Sequence, residues 1–216
     1  MDDEQKQELL RRLYYDPKYG LGSANALYQQ VRTKGFTLRY VEDWMKKQET
    51  YQIFRNNFIK PDDYAPITGP DDTYQADLMF LTQYKTKNDG YHVILNFIEV
   101  TSRKAFSYKL KNKEGNSVIE AFKTFMKEAN DVKNLTMDQG SEFINKRFKD
   151  LAKEHNIQLY YSDSGDKHKM GKVERFNRTL REKIMRYLKT FKTLQWHDKL
   201  YDLAQNYNNT VHSGTG

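Results

Sequence analysis

Two apolar runs decide the fold class: Tyr74-Gln75-Ala76-Asp77-Leu78-Met79-Phe80-Leu81 and Tyr91-His92-Val93-Ile94-Leu95-Asn96-Phe97-Ile98-Glu99-Val100. Both are rich in residues that favour strands, and Asn88-Asp89-Gly90 between them is a hairpin signal. A third strand is expected over residues 105–110, after a short turn. Beyond it the pattern alternates. Residues 117–129 read as a helix with Val118, Ala121, Phe122 and Phe125 on one side, followed by a strand at 135–138. A helix at 142–155, a strand at 157–161 and helices at 171–188 and 194–208 complete the chain. Three strands and then alternating helices and strands predict an α/β fold, a mixed sheet flanked by helices. There are no internal repeats and no low-complexity tracts.

Upstream, Pro61, Pro66 and Pro70 fall close together with Gly69, Asp62 and Asp63. This stretch, residues 58–72, reads as a linker between a small module at 1–57 and a larger one at 73–216. The small module reads as three helices. Leu9, Leu10 and Leu13 lie on the first, which Asp16-Pro17 stops. Ser23 caps a second that carries Leu27, Tyr28 and Val31 and ends before Gly35. Thr37 caps a third, with Val41, Trp44 and Met45 inward. Such a bundle fits a helix-turn-helix-like DNA binder. It fits a docking or oligomerisation module equally well.

Of the 216 residues, 38% are hydrophobic and 14% aromatic, enough for a core. No window approaches the roughly 18 uninterrupted apolar residues of a membrane span. The start, Met1-Asp2-Asp3-Glu4, is unlike a secretory signal, so neither a membrane partner nor secretion is expected. Cysteine is absent, and the five histidines are scattered. Disulfides and thiolate sites are therefore excluded, no zinc is expected, and any metal should be a hard cation on carboxylates. Lys and Arg total 36 against 29 for Asp and Glu, a net charge of +7. Between Lys167 and Lys192 stand ten Lys or Arg residues and two acids, Glu174 and Glu182. Such a basic run favours polyanion partners.

Three acids are candidates for metal chemistry. Asp77 sits inside a strand with apolar neighbours, where a carboxylate is costly to bury without a compensating charge. Asp138 ends a short strand, with Gly140 soon after to let the backbone turn sharply beside a ligand. Glu174 opens the basic helix. At 100° per residue, Val173, Phe176, Leu180, Ile184 and Tyr187 share one face of that helix, while Glu174, Asn177, Arg178 and Arg181 form an adjoining stripe. Arginine suits a phosphate-facing stripe because its planar fork pairs with phosphate. Each acid alone also reads as a turn cap or a helix-dipole partner, and the arginines as a solvated face. Periodicity and composition reach no further than a basic α/β domain with a capacity for nucleic acid.

Four blocks carry the reading further. Thr136-Met137-Asp138-Gln139-Gly140-Ser141-Glu142-Phe143 resembles the second-aspartate block of retroviral-type integrase cores. Gly171-Lys172-Val173-Glu174-Arg175-Phe176-Asn177-Arg178-Thr179-Leu180 looks like their glutamate-bearing helix, and positions 139–173 give the separation of 35 residues known in that family. Gln75-Ala76-Asp77-Leu78 resembles the first-aspartate strand, and Tyr207-Asn208-Asn209-Thr210-Val211-His212-Ser213 the end of the core. The resemblance covers residues 74–216. Within the superfamily, Tyr15-Asp16-Pro17, Gly20-Leu21-Gly22-Ser23, residues 44–52 and Lys111-Asn112-Lys113 look most like integrases of Maverick/Polinton transposons and virophages.

The resemblance implies an RNase H-like fold and two Mg²⁺ or Mn²⁺ ions held by Asp77, Asp138 and Glu174. It implies metal-dependent trimming of element ends by water, then attack of the new 3′-hydroxyl on target DNA. Element ends and target DNA would be the partners, a homodimer or tetramer the assembly, and a host nucleus or viral particle the location. Lys172, Asn177, Arg178 and Arg181 are then expected to position DNA, with Lys167 and Lys169 on a loop before the helix. The chain departs from retroviral relatives in lacking the cysteines of their zinc module. Relatives often continue into a further DNA- or chromatin-binding domain, so a chain ending at Gly216 is expected to be a shortened one. The rival expectations are a non-catalytic DNA-binding descendant and an RNase H-type nuclease that hydrolyses without joining.

Overall fold

The structure, a computed structural model, describes residues 1–53, 72–129, 131–162 and 170–210. All but the last residue of the expected linker, with Lys167, Lys169 and residues 211–216, lies outside the described residues.

The chain opens with α1 (Asp3–Tyr14), α2 (Ala24–Val31), α3 (Leu38–Lys46) and a short α4 (Glu49–Ile53) that the sequence pattern does not announce. The caps act as expected: Ser23 accepts from the Ala26 N–H and Thr37 from the Tyr40 N–H, each at 3.2 Å. Gly35 follows with φ 77°, a left-handed position that suits glycine. Leu10, Tyr14, Leu27, Val31, Val41, Trp44 and Met45 close a small core between these helices.

Next come β1 (Thr73–Phe80), β2 (Val93–Glu99) and β3 (Ala105–Leu110), an antiparallel meander. Residues 82–87 form a 3₁₀ helix, so β1 and β2 are joined by more than a tight hairpin. Asn88 is buried beneath that connection: its amide donates to the Tyr84 and Leu194 carbonyls and accepts from the Trp196 and His197 N–H groups. Helix α5 (Gly115–Glu128) crosses to β4 (Asn134–Asp138), which lies parallel to β1. The expected helix at 142–155 is two, α6 (Ser141–Ile144) and α7 (Lys146–Glu154). They part at Asn145, whose side chain accepts from the Phe148 N–H and caps α7. Strand β5 (Gln158–Ser162) pairs parallel with β4, giving the order β3-β2-β1-β4-β5. The long α8 (Gly171–Thr190) and α9 (Leu200–Asn208) end the described chain. Residues 194–199, expected to be helical, instead form a turn-rich segment around the fully buried Trp196.

Alternation along the strands sorts the sheet into two faces. Tyr74, Ala76, Val93, Leu95, Phe97, Leu135 and Met137 face α5 and α7, where the Phe97 and Phe125 rings stack 3.9 Å apart. Met79, Ile94, Ile98 and Ala105 face the other way, against Val173, Phe176, Leu180 and Ile184 of α8 and Leu203 and Tyr207 of α9. The N-terminal helices reach this second layer. Leu21 is buried within it, its carbonyl accepts from Arg186 at 3.0 Å, and the Gly20 carbonyl accepts from Asn206 at 2.7 Å. The Thr50 and Thr190 hydroxyls meet at 2.9 Å.

Candidate active site

Asp77 belongs to the β1 positions that face α8, as do Gln75 and Met79 on either side of it. In β4, Leu135 and Met137 point into the opposite core, so Thr136 and Asp138 point to the α8 side. The parallel register sets Gln75 against Thr136. Asp77 and Asp138 each stand two residues further along their strands, beyond the last paired position. Helix α8 brings Glu174 to the same side. The start of that helix is held by the strand itself: the Gln75 side-chain carbonyl accepts from the backbone N–H groups of both Lys172 and Val173, each at 3.0 Å. One strand thus carries the first acid and anchors the helix that carries the third.

The three acids act on one another electrostatically. Burial pushes the Asp77 carboxyl up to about 6, and the charges of Asp138 and Glu174 push the same way, opposed by hydrogen bonds from Leu78 N–H and the Asn177 amide. Those bonds measure 2.8 Å each, the first to Oδ1 and the second to Oδ2. Asp138 is exposed and accepts from the Gly140 N–H at 3.2 Å. Glu174 is exposed in the first turn of α8. Among the described residues, no three His, Asp or Glu side chains come together closely enough to hold one ion as they stand. In kind the three acids fit a hard divalent cation: all are oxygen donors, and their mutual repulsion is what such a charge would relieve.

The other expected contacts divide. Arg178 and Arg181 are exposed along α8. Lys172 is only 8% exposed, and burial, with Arg103 and Arg175 nearby, lowers its pKa. Asn177 turns inward: its Nδ2 donates to Asp77 and its Oδ1 accepts from the buried Asn96 at 2.7 Å. Of the four expected contacts on α8, Lys172 is thus largely covered and Asn177 is engaged with Asp77 and Asn96, while Arg178 and Arg181 stand outward. Gly140 has φ −61°, an ordinary value, so it is not a left-handed backbone that calls for glycine there. The Glu142 carboxyl folds over it instead, 2.8 Å from where a Cβ would stand. Sequence reasoning missed Gln75, Asn96 and Glu142, all less than 9% exposed. For Gln75 and Asn96 the available signal was a polar side chain inside an apolar strand; Glu142, in α6, gave no such signal.

Residues 68–167 match the integrase core domain family, a span that includes Asp77 and Asp138 and stops before Glu174. An uncharacterized transposon-derived protein of Caenorhabditis elegans is 33% identical over 138 residues, 63% of this chain and 47% of that protein. The Pro-Pol polyprotein of feline foamy virus is 27% identical over 152 residues, 70% of this chain and 13% of the polyprotein. The chain thus spans about half of the first relative and a small part of the second. Among solved structures, the HTLV-2 integrase catalytic core domain in complex with magnesium, in its dimeric form, superposes with a TM-score of 0.55 at 17% identity. That match covers 66% of this chain and 90% of the HTLV-2 chain. Among the described residues no helix is long and apolar enough to cross a membrane. Slightly under half of the chain thus matches the integrase core domain family, and its fold is that of the HTLV-2 integrase catalytic core.

Proposed function

We propose that the chain is the catalytic part of a DNA integrase that joins mobile-element or viral DNA to target DNA. One observation carries the reading: in a chain whose residues 68–167 match the integrase core domain family, Asp138 and Glu174 both act electrostatically on the part-buried carboxylate of Asp77, which shares the α8 side of the sheet with them. Asp77 and Asp138 would hold the metal pair, with Glu174 completing the coordination. Bound there, Mg²⁺ or Mn²⁺ supplies Lewis-acid activation of the attacking oxygen and charge stabilisation of the leaving one. Each joining event makes one P–O bond, from a DNA 3′-oxygen to a target phosphorus, and breaks one, releasing a target 3′-hydroxyl. It needs no protein nucleophile. Arg178 and Arg181 orient the phosphates, from exposed positions on the helix that carries Glu174.

The wider reading follows the relatives. A transposon-derived protein and a retroviral polyprotein support a mobile-element or viral origin. The choice of Maverick/Polinton-type elements as the nearer source rests on the blocks at residues 15–23, 44–52 and 111–113 alone. The dimeric and trimeric forms of the HTLV-2 core support a multimer here, a dimer or tetramer that holds two DNA ends. A host nucleus or a viral particle is the corresponding place of action.

A second reading, a non-catalytic DNA-binding descendant, draws support from the absence of a closed three-acid cluster among the described residues. A strand-transfer assay with labelled DNA ends in Mn²⁺ separates the two. Wild type is expected to join ends, while Asp77→Asn and Glu174→Gln fall to background with unchanged circular dichroism. Joining retained in either variant refutes the assignment. DNA binding without metal-dependent cutting points to the descendant, and hydrolysis without joining to an RNase H-type nuclease.

A further inference from the structure

Behind Asp77 runs an unbroken line of side chains. Ser107 on β3 donates its hydroxyl to Asn96 Oδ1 at 2.6 Å, and Asn96 Nδ2 on β2 donates to Asn177 Oδ1 at 2.7 Å. Asn177 Nδ2 on α8 donates to Asp77 Oδ2 at 2.8 Å. The line crosses three neighbouring strands and the helix, and Asn96 at its middle is 0% exposed. Its flanking same-face neighbours, Ile94 and Ile98, are core residues packed under α8. A polar group there interrupts an otherwise apolar surface, at a desolvation cost that only a complete set of bonds offsets.

The direction of every bond is forced. An ionised carboxylate only accepts, so Asn177 must turn its amide nitrogen to Asp77 and its oxygen to Asn96. Asn96 must then donate in turn, which leaves its own oxygen facing Ser107. The hydroxyl can turn either way, and here it must give. Remove it, and the buried Asn96 Oδ1 loses its donor, so the amide is held less firmly in the one orientation that serves Asn177.

We propose that Ser107 and Asn96 are positioning residues. Through Asn177 they lock the orientation of the Asp77 carboxylate and hold α8, with Glu174, at a fixed distance from β1. This inference rests on the integrase reading for its purpose, and on the bonds alone for its geometry. Outer partners of this kind orient metal-binding side chains elsewhere.

Ser107→Thr and Ser107→Val test it in the full chain, since the two substitutions share a shape and differ by the hydroxyl. Both are β-branched and suit a strand, and Ser107 borders a groove of about 880 Å³ that has room for an added methyl. Ser107→Ala gives the same contrast if the valine variant does not fold. Three quantities are read: exchange of the Asn177 side-chain amide protons by NMR without metal, Mn²⁺ affinity by electron paramagnetic resonance, and joining kinetics. The threonine variant should match wild type in all three. The valine variant should expose the Asn177 amide to exchange and weaken Mn²⁺ binding and kcat about 10-fold, with KM for DNA unchanged. Freely exchanging Asn177 protons in wild type overturn the proposal. So does a valine variant that equals the threonine one in amide exchange and Mn²⁺ affinity, even if it melts earlier. If wild type neither binds Mn²⁺ nor joins DNA, the integrase reading fails, and amide exchange alone then decides whether the line is ordered.

Discussion

At Asp77 the cost of burying a charge is written into the titration. Its carboxyl is raised from 3.8 to about 6, chiefly by burial and then by the two neighbouring acids. The folded state therefore holds this proton more tightly than the unfolded state does. The group's stabilising contribution is present below pH 4 and is lost as pH rises through 6. Without metal, wild type should lose roughly 2 kcal/mol relative to Asp77→Asn between pH 4 and pH 7. Urea unfolding in EDTA across that range measures it, and parallel pH profiles for the two proteins would contradict it. Divalent metal should reverse the order at pH 7, because it binds the ionised carboxylate. The cost was legible in the sequence, since an aspartate among Ala76, Leu78 and Met79 has nowhere else to put its charge. Its present partner was not, because Asn177 lies a hundred residues away.

Helix α8 shows how one element serves two masters. Its apolar face, Val173, Phe176, Leu180 and Ile184, is wholly buried against the sheet, and its exposed stripe carries Glu174, Arg178 and Arg181. Phe176 packs on Tyr207 of α9 with ring centroids 4.6 Å apart. Phe176→Ala should cost about 3–5 kcal/mol in denaturant unfolding, the range for deleting a buried aromatic ring. A loss under about 1 kcal/mol would mean that α8 is not seated on the sheet as described. Periodicity was enough to foresee this face. It was not enough at residues 142–155, where an apolar repeat continues past Asn145 although the helix breaks. Asparagine serves a helix interior poorly and a cap well, and the edge-on contact of Phe143 with Phe148, at 5.7 Å, accompanies the break. Residues 194–199 failed for a similar reason: Trp196 is buried beside Asn88, which binds its backbone and leaves no room for a helical ladder.

Across the whole molecule, the N-terminal helices are joined to the sheet domain by polar bonds that converge on Asn206. That side chain accepts from the buried amine of Lys183 and donates to the carbonyls of Gly20 and Pro17. Burial pushes the Lys183 amine down to about 8, with the Arg186 charge acting the same way. Asn206→Ala should leave that amine and two carbonyls short of partners and cost roughly 1–3 kcal/mol. Hydrogen exchange should rise through residues 17–22, and unchanged exchange there would show that Asn206 does not hold the segment. Bonds at Gly20, Leu21 and Thr50 likewise tie the N-terminal helices to α8 and α9.

The sequence by itself determined what depends on local periodicity and residue chemistry: the strands and the buried face of α8. Side-chain direction repeats every two residues in a strand and every 3.6 in a helix, so such features are fixed before any long-range contact forms. Only the tertiary structure decided that Asn177 supports Asp77, that Lys172 is buried, and that Ser107 and Asn96 stand in line behind the acids. Those outcomes depend on which strands become neighbours and how α8 is rotated upon them, choices made by packing among residues far apart in the chain.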